Sequence, residues 1–294
     1  MVEPIRRASA KAFPIFIVTH ISFTTIINLI FFAGNWFRPI TEASNGWING
    51  TLVANLVMIV VIVGIIILGV GRLRLYDIGV IWSRLPSGFI VAFGVWMVAQ
   101  VIHLVAGSTR NGAILWHPQW EWQGSGRMMG LLVAQLFGNA LFEELAFRGF
   151  LFPQLYLRFE ALAAYPWRRF FFTLLVSQVI FALTHIPNRI YLGLPFDVIA
   201  VDILALTFWG ILYTLIYMRT DNLFLTIFIH ALGNAPTLIF ATSPSLDDGN
   251  ASLLYYALVV FTIFIFPLLW VRWTSFRDAR QQRGAQAVLD RDVV

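Results

Sequence analysis

Residues 143 to 148 read EELAFR, two adjacent carboxylates and an arginine one helical turn further on, inside a run whose other residues are almost all apolar. Two later apolar runs carry FALTH, ending at His185, and HALGN, from His230 to Asn234. A charge at the centre of a membrane helix costs roughly 2.5–3.5 kcal/mol, so groups retained there serve pairing or chemistry. On a helix, residues i and i+4 share a face, which lets Glu144 meet Arg148 and sets His230 beside Asn234. A carboxylate next to an imidazole in a low-dielectric cavity can act as general base toward water. A neutral imidazole N–H and a carboxamide N–H2 on one helix face are suitable donors for an oxyanion. Glu143, His185, His230 and Asn234 are therefore the minimum set for acyl hydrolysis without a covalent intermediate. The same atoms admit a second reading, because Glu143, His185 and His230 form a His2Glu set that could hold zinc with an open position for water.

The elements that must position these groups are membrane helices. A hydrophobic content of 59%, a charged content of 12% and a mean hydropathy of +0.78 do not describe a soluble core. At about 20 apolar residues per span, eight runs qualify: 13–33, 52–71, 87–107, 128–157, 170–189, 198–218, 222–241 and 253–272. The expected fold is an all-α, polytopic membrane bundle of about eight helices. It comprises one membrane domain over 13–273, flanked by an N-terminal segment 1–12 and a tail 274–294. The absence of cysteine removes disulfides, thiolate metal sites and cysteine nucleophiles. The net charge of +5 does not point to nucleic acid, because the basic residues lie in short segments between apolar runs. Counted by alternating loops, 16 lie on the face that carries both termini and four (Arg38, Arg110, Arg127, Arg189) on the other. Both termini are thus expected in the cytoplasm.

Depth arithmetic brings the polar groups to one level. At 1.5 Å per residue, Glu143 and His185 each lie about 22 Å from the cytoplasmic ends of their runs, His230 about 12 Å and Asn234 about 18 Å. All four fall near the midplane of a hydrocarbon core about 30 Å thick. Glu144 with Arg148 reads first as an ion pair that supports the site, and Phe181 as the residue that orients His185. Gln135 and Asn139 extend the Glu143 face by two further turns. His20, Asn28, Gln100 and His103 read as packing or interfacial residues, and Asp202 equally as a residue facing a water-filled cavity near the site or as a packing or interfacial one. The basic, aromatic connection with Tyr165, Trp167, Arg168 and Arg169 is the expected mouth of the site.

The motifs EExxxR, FxxxH and HxxxN, in this order and each in its own apolar run, resemble those of the CPBP family, the CAAX proteases and bacteriocin-processing enzymes that include the type II CAAX prenyl endopeptidases. The resemblance covers about residues 128–241. It implies an intramembrane endopeptidase in which Glu143 and His185 activate water, His230 and Asn234 bind the oxyanion, and Glu144 and Arg148 support them, with no cofactor favoured over a divalent metal. The implied partner is a lipidated or membrane-embedded peptide. Two other functions use the same buried groups: a noncatalytic subunit or scaffold of a larger membrane complex, and a small transporter. HExxH, GxGD and a rhomboid-type GxS are absent from the sequence.

Overall fold

The computed structural model describes residues 6–162 and 165–243 of the chain. Among them six helices are long and apolar enough to cross a membrane, so the protein is a multi-pass membrane protein. They are α1 (Ala12–Phe32), α2 (Gly50–Val70), α3 (Trp82–Asn111), α4 (Ser125–Arg158), the α5 stretch that begins at Pro166, and α7 (Phe196–Thr220). The eighth run and the tail lie outside the described residues.

Two of the expected helices are interrupted, each at a proline. The run 170–189 is α5 (Pro166–Leu183), a turn, and the short α6 (Ile186–Tyr191). Pro187 has no N–H to return to the preceding turn, and its ring clashes with a continuing helix. The run 222–241 is α8 (Leu223–Asn234) followed by extended chain. Ala235 precedes Pro236, a position that disfavours helical backbone, and adopts φ −140° and ψ 76°. Expectations of uninterrupted helices here are thus corrected by the prolines.

Extended backbone at membrane depth is tolerated only where protein satisfies it. Here α3 and the loop after it do so. The Ile239 N–H donates to Gln100 Oε1 at 2.9 Å, Trp96 Nε1 to the Pro236 carbonyl at 3.1 Å, and Trp120 Nε1 to that of Leu238 at 2.7 Å. Backbone bonds from His117 to Ile239 and from Ala241 to Leu115 complete the support. Gly107 leaves room for the Ala241 carbonyl to lie against α3. The Gln100 of the sequence reading is a packing residue, with a specific backbone to hold.

The core surrounds α4, whose most apolar window is 61% buried against 17–44% in the other spanning helices. One apolar cluster joins α1, α2 and α4 through Phe16, Ile62, Ile67, Phe147, Phe150 and Leu151. Gly149 permits a close approach, because a Cβ there would collide with the Ile78 carbonyl. On α1 the buried residues are Ala12, Phe16, His20 and Asn28, all on a four-residue period, so a single stripe faces inward. The large apolar side chains of α3 and α7, such as Phe89, Ile90, Val201 and Leu204, remain on the outer surface where lipid would cover them.

Candidate active site

His185 sits at the break between α5 and α6. Its Nδ1 lies 3.0 Å from the Phe181 carbonyl, which also accepts from the Thr184 hydroxyl at 2.7 Å. A carbonyl oxygen can only accept, so Nδ1 carries a proton and Nε2 is the free nitrogen of the neutral ring. The Phe181 ring packs edge-on against the imidazole with centroids 4.8 Å apart. Phe181 thus orients His185 through both backbone and ring.

Glu143 projects from the middle of α4 between two histidines. His185 Nε2 lies 3.5 Å from its Oε1, and His230 Nε2 lies 3.5 Å from its Oε2. Both separations exceed a strong direct hydrogen bond. They leave the carboxylate available to a water that donates one hydrogen to Glu143 and the other to an imidazole lone pair.

Behind this pair, Glu144 and Arg148 are fully buried. Glu144 Oε1 lies 2.7 Å from His230 Nδ1 and 3.1 Å from Arg148 Nη1. The first contact is a hydrogen bond; the second has ion-pair distance, but the Nη1 hydrogens are not aimed at an acceptor. The guanidinium instead donates through Nη2 to the Gly210 carbonyl at 3.1 Å and stacks 4.6 Å from the Phe181 ring. Tyr213 stacks on His230 with centroids 4.4 Å apart. The carboxylate, the tyrosine and the helix backbone together fix the His230 ring.

That arrangement changes the expected donor chemistry. With Nδ1–H given to an ionised Glu144, a neutral His230 presents a lone pair at Nε2 and has no N–H for an oxyanion. Nε2 becomes a donor when the ring is an imidazolium. The neutral imidazole donor of the sequence reading requires the other tautomer, with the proton on Nε2 and none on Nδ1 for Glu144.

A cavity of about 640 Å³ contains Glu143, His185, His230 and Asn234 in its lining. Its size is that of an ordinary ligand pocket. Asn234 Nδ2 donates to Gln135 Oε1 at 3.0 Å, and the same oxygen accepts from Asn139 at 3.3 Å. From Glu143 the cavity runs toward Gln135, Asn28 and Arg189, away from the N-terminal face and from the connection expected to be its mouth. Arg169 donates to the Tyr156 carbonyl and Arg168 lies over Tyr165 and Trp167, so those basic side chains cover the end of α4 and its neighbours.

All four expected catalytic residues therefore line one cavity, with Glu143 meeting both histidines and Asn234 joined to the Gln135 carboxamide. Asp202 is paired with Arg189 at 2.6 Å, and Asn28 accepts from Asn188 at 2.8 Å. His20, read as packing, also lines the cavity, 4% exposed, with Nδ1 unpartnered and the Phe142 and Phe147 rings against it. The signal for it was the four-residue stripe Ala12, Phe16, His20, Asn28, visible only once the inward face of α1 is known. His103 is fully buried against the extended segment and lies outside the cavity lining. Glu143, His185 and His230 have the donor chemistry of a zinc set, but among the described residues no three His, Asp or Glu side chains are arranged to hold a metal ion.

Residues 125–236 match the family model of the Rce1-like type II CAAX prenyl endopeptidases. No curated protein and no solved structure matches the chain significantly. The matched segment contains EELAFR, FALTH and HALGN, and with them Glu143, His185, His230 and Asn234 of the cavity lining. Over these residues the chain is similar to the CPBP and CAAX protease family of intramembrane endopeptidases.

Proposed function

We propose that the protein is an intramembrane endopeptidase that hydrolyses a peptide bond with a water activated by Glu143 and His185. The observation that carries this reading is the Glu143 carboxylate held between His185 Nε2 and His230 Nε2, 3.5 Å from each, in the cavity. Water donates its hydrogens to Glu143 and to His185 Nε2, and its oxygen attacks the scissile carbonyl. Glu143 takes one proton as the new C–O bond forms. The carbonyl oxygen, now negative, accepts from the His230 imidazolium Nε2–H and from the second Asn234 N–H. Collapse of the tetrahedral adduct breaks the C–N bond, and Glu143 returns its proton to the leaving amine. Glu144 is the positioning residue that fixes the His230 tautomer and, with Arg148, sets the charge balance. In this reading the substrate is a peptide of a membrane-associated protein, and the basic face with the N-terminus lies in the cytoplasm.

The test is cleavage of membrane-associated peptides by the purified protein in bilayers, compared with Glu143→Gln, with and without a strong chelator. The reading expects cleavage that survives chelation and falls at least about 10³-fold in the variant, the combined scale of a lost general base and its misplaced water. Chelator-sensitive cleavage would move Glu143, His185 and His230 to metal ligation. Cleavage undiminished in Glu143→Gln would remove the carboxylate from the chemistry.

A further inference from the structure

The proposed chemistry leaves one part of the cavity unused. Along α4, Gln135, Asn139 and Glu143 recur every four residues and all three line the cavity. Across from them on α2 stands Asn55, whose Cβ lies 3.3 Å from the position a Cβ would take on Gly138. The hydrogen bonds of these amides leave specific atoms open. Asn55 Nδ2 donates to the Thr51 carbonyl at 2.9 Å, while its Oδ1 has no partner among the described residues. Asn139 spends Nδ2 on Gln135 Oε1, leaving its own Oδ1 without one among those residues. Gln135 accepts twice through Oε1, from Asn139 and Asn234, and its Nε2 donates to nothing among the described residues. Side chains that merely glue helices together would close on one another; these present two acceptors and a donor toward open volume.

Their spacing identifies what could use them. Residues four apart on a helix rise about 6 Å. An extended peptide presents equivalent backbone groups on one side every second residue, about 6.6–6.8 Å. The eight residues from Gln135 to Glu143 rise about 12 Å, the length of three to four extended residues. Resting on the proposed endopeptidase reading, we propose that the carboxamides of Asn55, Asn139 and Gln135 form a backbone-binding track that holds three to four residues of an extended, unlipidated peptide on one side of the scissile bond. Peptide N–H groups donate to Asn139 Oδ1 and Asn55 Oδ1, and a peptide carbonyl accepts from Gln135 Nε2. Recognition through the backbone makes this side of the substrate tolerant of side-chain identity. It has no place for a prenyl chain within these residues, because amides line it.

The experiment is a backbone N-methyl scan read by binding and by cleavage. Unlipidated eight-residue Ala–Leu–Ser peptides, the parent and a set with one amide N-methylated in turn, are titrated into full-length Glu143→Gln protein in nanodiscs, and into the same protein carrying Asn139→Ala or Asn55→Leu. Wild-type protein is assayed for cleavage of the same set. The track predicts N-methyl positions that weaken binding about tenfold, the scale of one lost hydrogen bond. It also predicts that the penalty at one position falls below about twofold in Asn139→Ala and at another in Asn55→Leu, because each variant has already lost that bond. A flat scan, absence of peptide binding, penalties that persist in every correctly folded variant, or binding that needs a farnesyl group within these residues would overturn it. The two readings fail separately. Coupled binding without cleavage keeps the track and removes the endopeptidase, whereas Glu143-dependent cleavage with an uncoupled scan does the reverse.

Discussion

Glu144 is the residue on which structural and chemical roles meet, and its replacement by glutamine separates them. Glutamine has the same shape and can still accept from His230 Nδ1–H, so the contact at 2.7 Å survives. The negative charge does not, and it balances a guanidinium with no solvent exposure at all. Removing one partner of a buried ion pair typically costs about 3–5 kcal/mol, because the other charge is left uncompensated. Arg148 already has Nε and Nη1 without hydrogen-bond partners, so little else in its surroundings can absorb the loss. Arg148→Met should cost a similar amount for the opposite reason, leaving the Glu144 charge unbalanced. The double variant removes both charges, and its loss should be smaller than the sum of the singles by about 2 kcal/mol or more, at the upper part of the coupling range for groups in one network. Reversible unfolding in mixed micelles, followed by near-UV circular dichroism, gives the four stabilities. Peptide cleavage adds the chemical half: Glu144→Gln should lower kcat by about 10²–10³-fold, the scale of one lost oxyanion donor, since the carboxylate that supports the proposed His230 donor is gone. Additive stabilities, or a Glu144→Gln protein with unchanged kcat, would refute the proposed coupling between the buried pair and the His230 donor.

Three further outcomes follow from the geometry. Gly149→Ala drives a Cβ into the Ile78 carbonyl, a backbone atom that cannot rotate away, so it should destabilise by about 1–3 kcal/mol while leaving kcat of the surviving folded protein unchanged. Gln100→Leu strands the Ile239 N–H and should cost about 1–3 kcal/mol, read as faster proteolysis or hydrogen exchange of the 235–242 segment. Outside the membrane, burial pushes the Asp77 carboxyl up, but hydrogen bonds and charge from Arg74 outweigh it and hold the group below its ordinary value of 3.8. A depressed carboxyl contributes stability above its unfolded pKa and loses it as pH falls through the folded one. The stability advantage of wild type over Asp77→Asn should therefore be constant near neutrality and shrink below about pH 4.

Much of this architecture was legible because membrane helices have a strong signal. Five expected spans, from α1 through α4 and α7, coincide with helices to within a few residues, since each is an apolar run of sufficient length bounded by charged or glycine-rich loops. The motif residues were legible for a related reason: charge is expensive in such runs, so Glu143, Glu144 and Arg148 stood out against their neighbours. What hydropathy could not read was backbone continuity. Pro187 and Pro236 lie in runs as apolar as any other, and averaging over about 20 residues conceals a single missing N–H. Both breaks matter, one placing His185 at a helix joint and the other ending α8 at Asn234. Tautomers were also illegible, because the His230 donor depends on Glu144, 86 residues earlier in the chain, reaching Nδ1 rather than Nε2. Depth along a helix was readable as arithmetic, but the direction of the cavity was not. It depends on which side of α1 and α2 faces inward, and the basic connection after α4 was attractive as a mouth only on grounds of charge.

The central claim, that Glu143 activates water without itself attacking the substrate, is tested most directly by a single turnover in ¹⁸O-labelled water. Enzyme in excess over a cleavable peptide is quenched after one cycle, and mass spectrometry locates the label. Direct attack by water predicts ¹⁸O in the new carboxylate of the product and none in Glu143. Unlabelled product carboxylate with ¹⁸O incorporated into Glu143 would show a covalent acyl-enzyme and contradict the account.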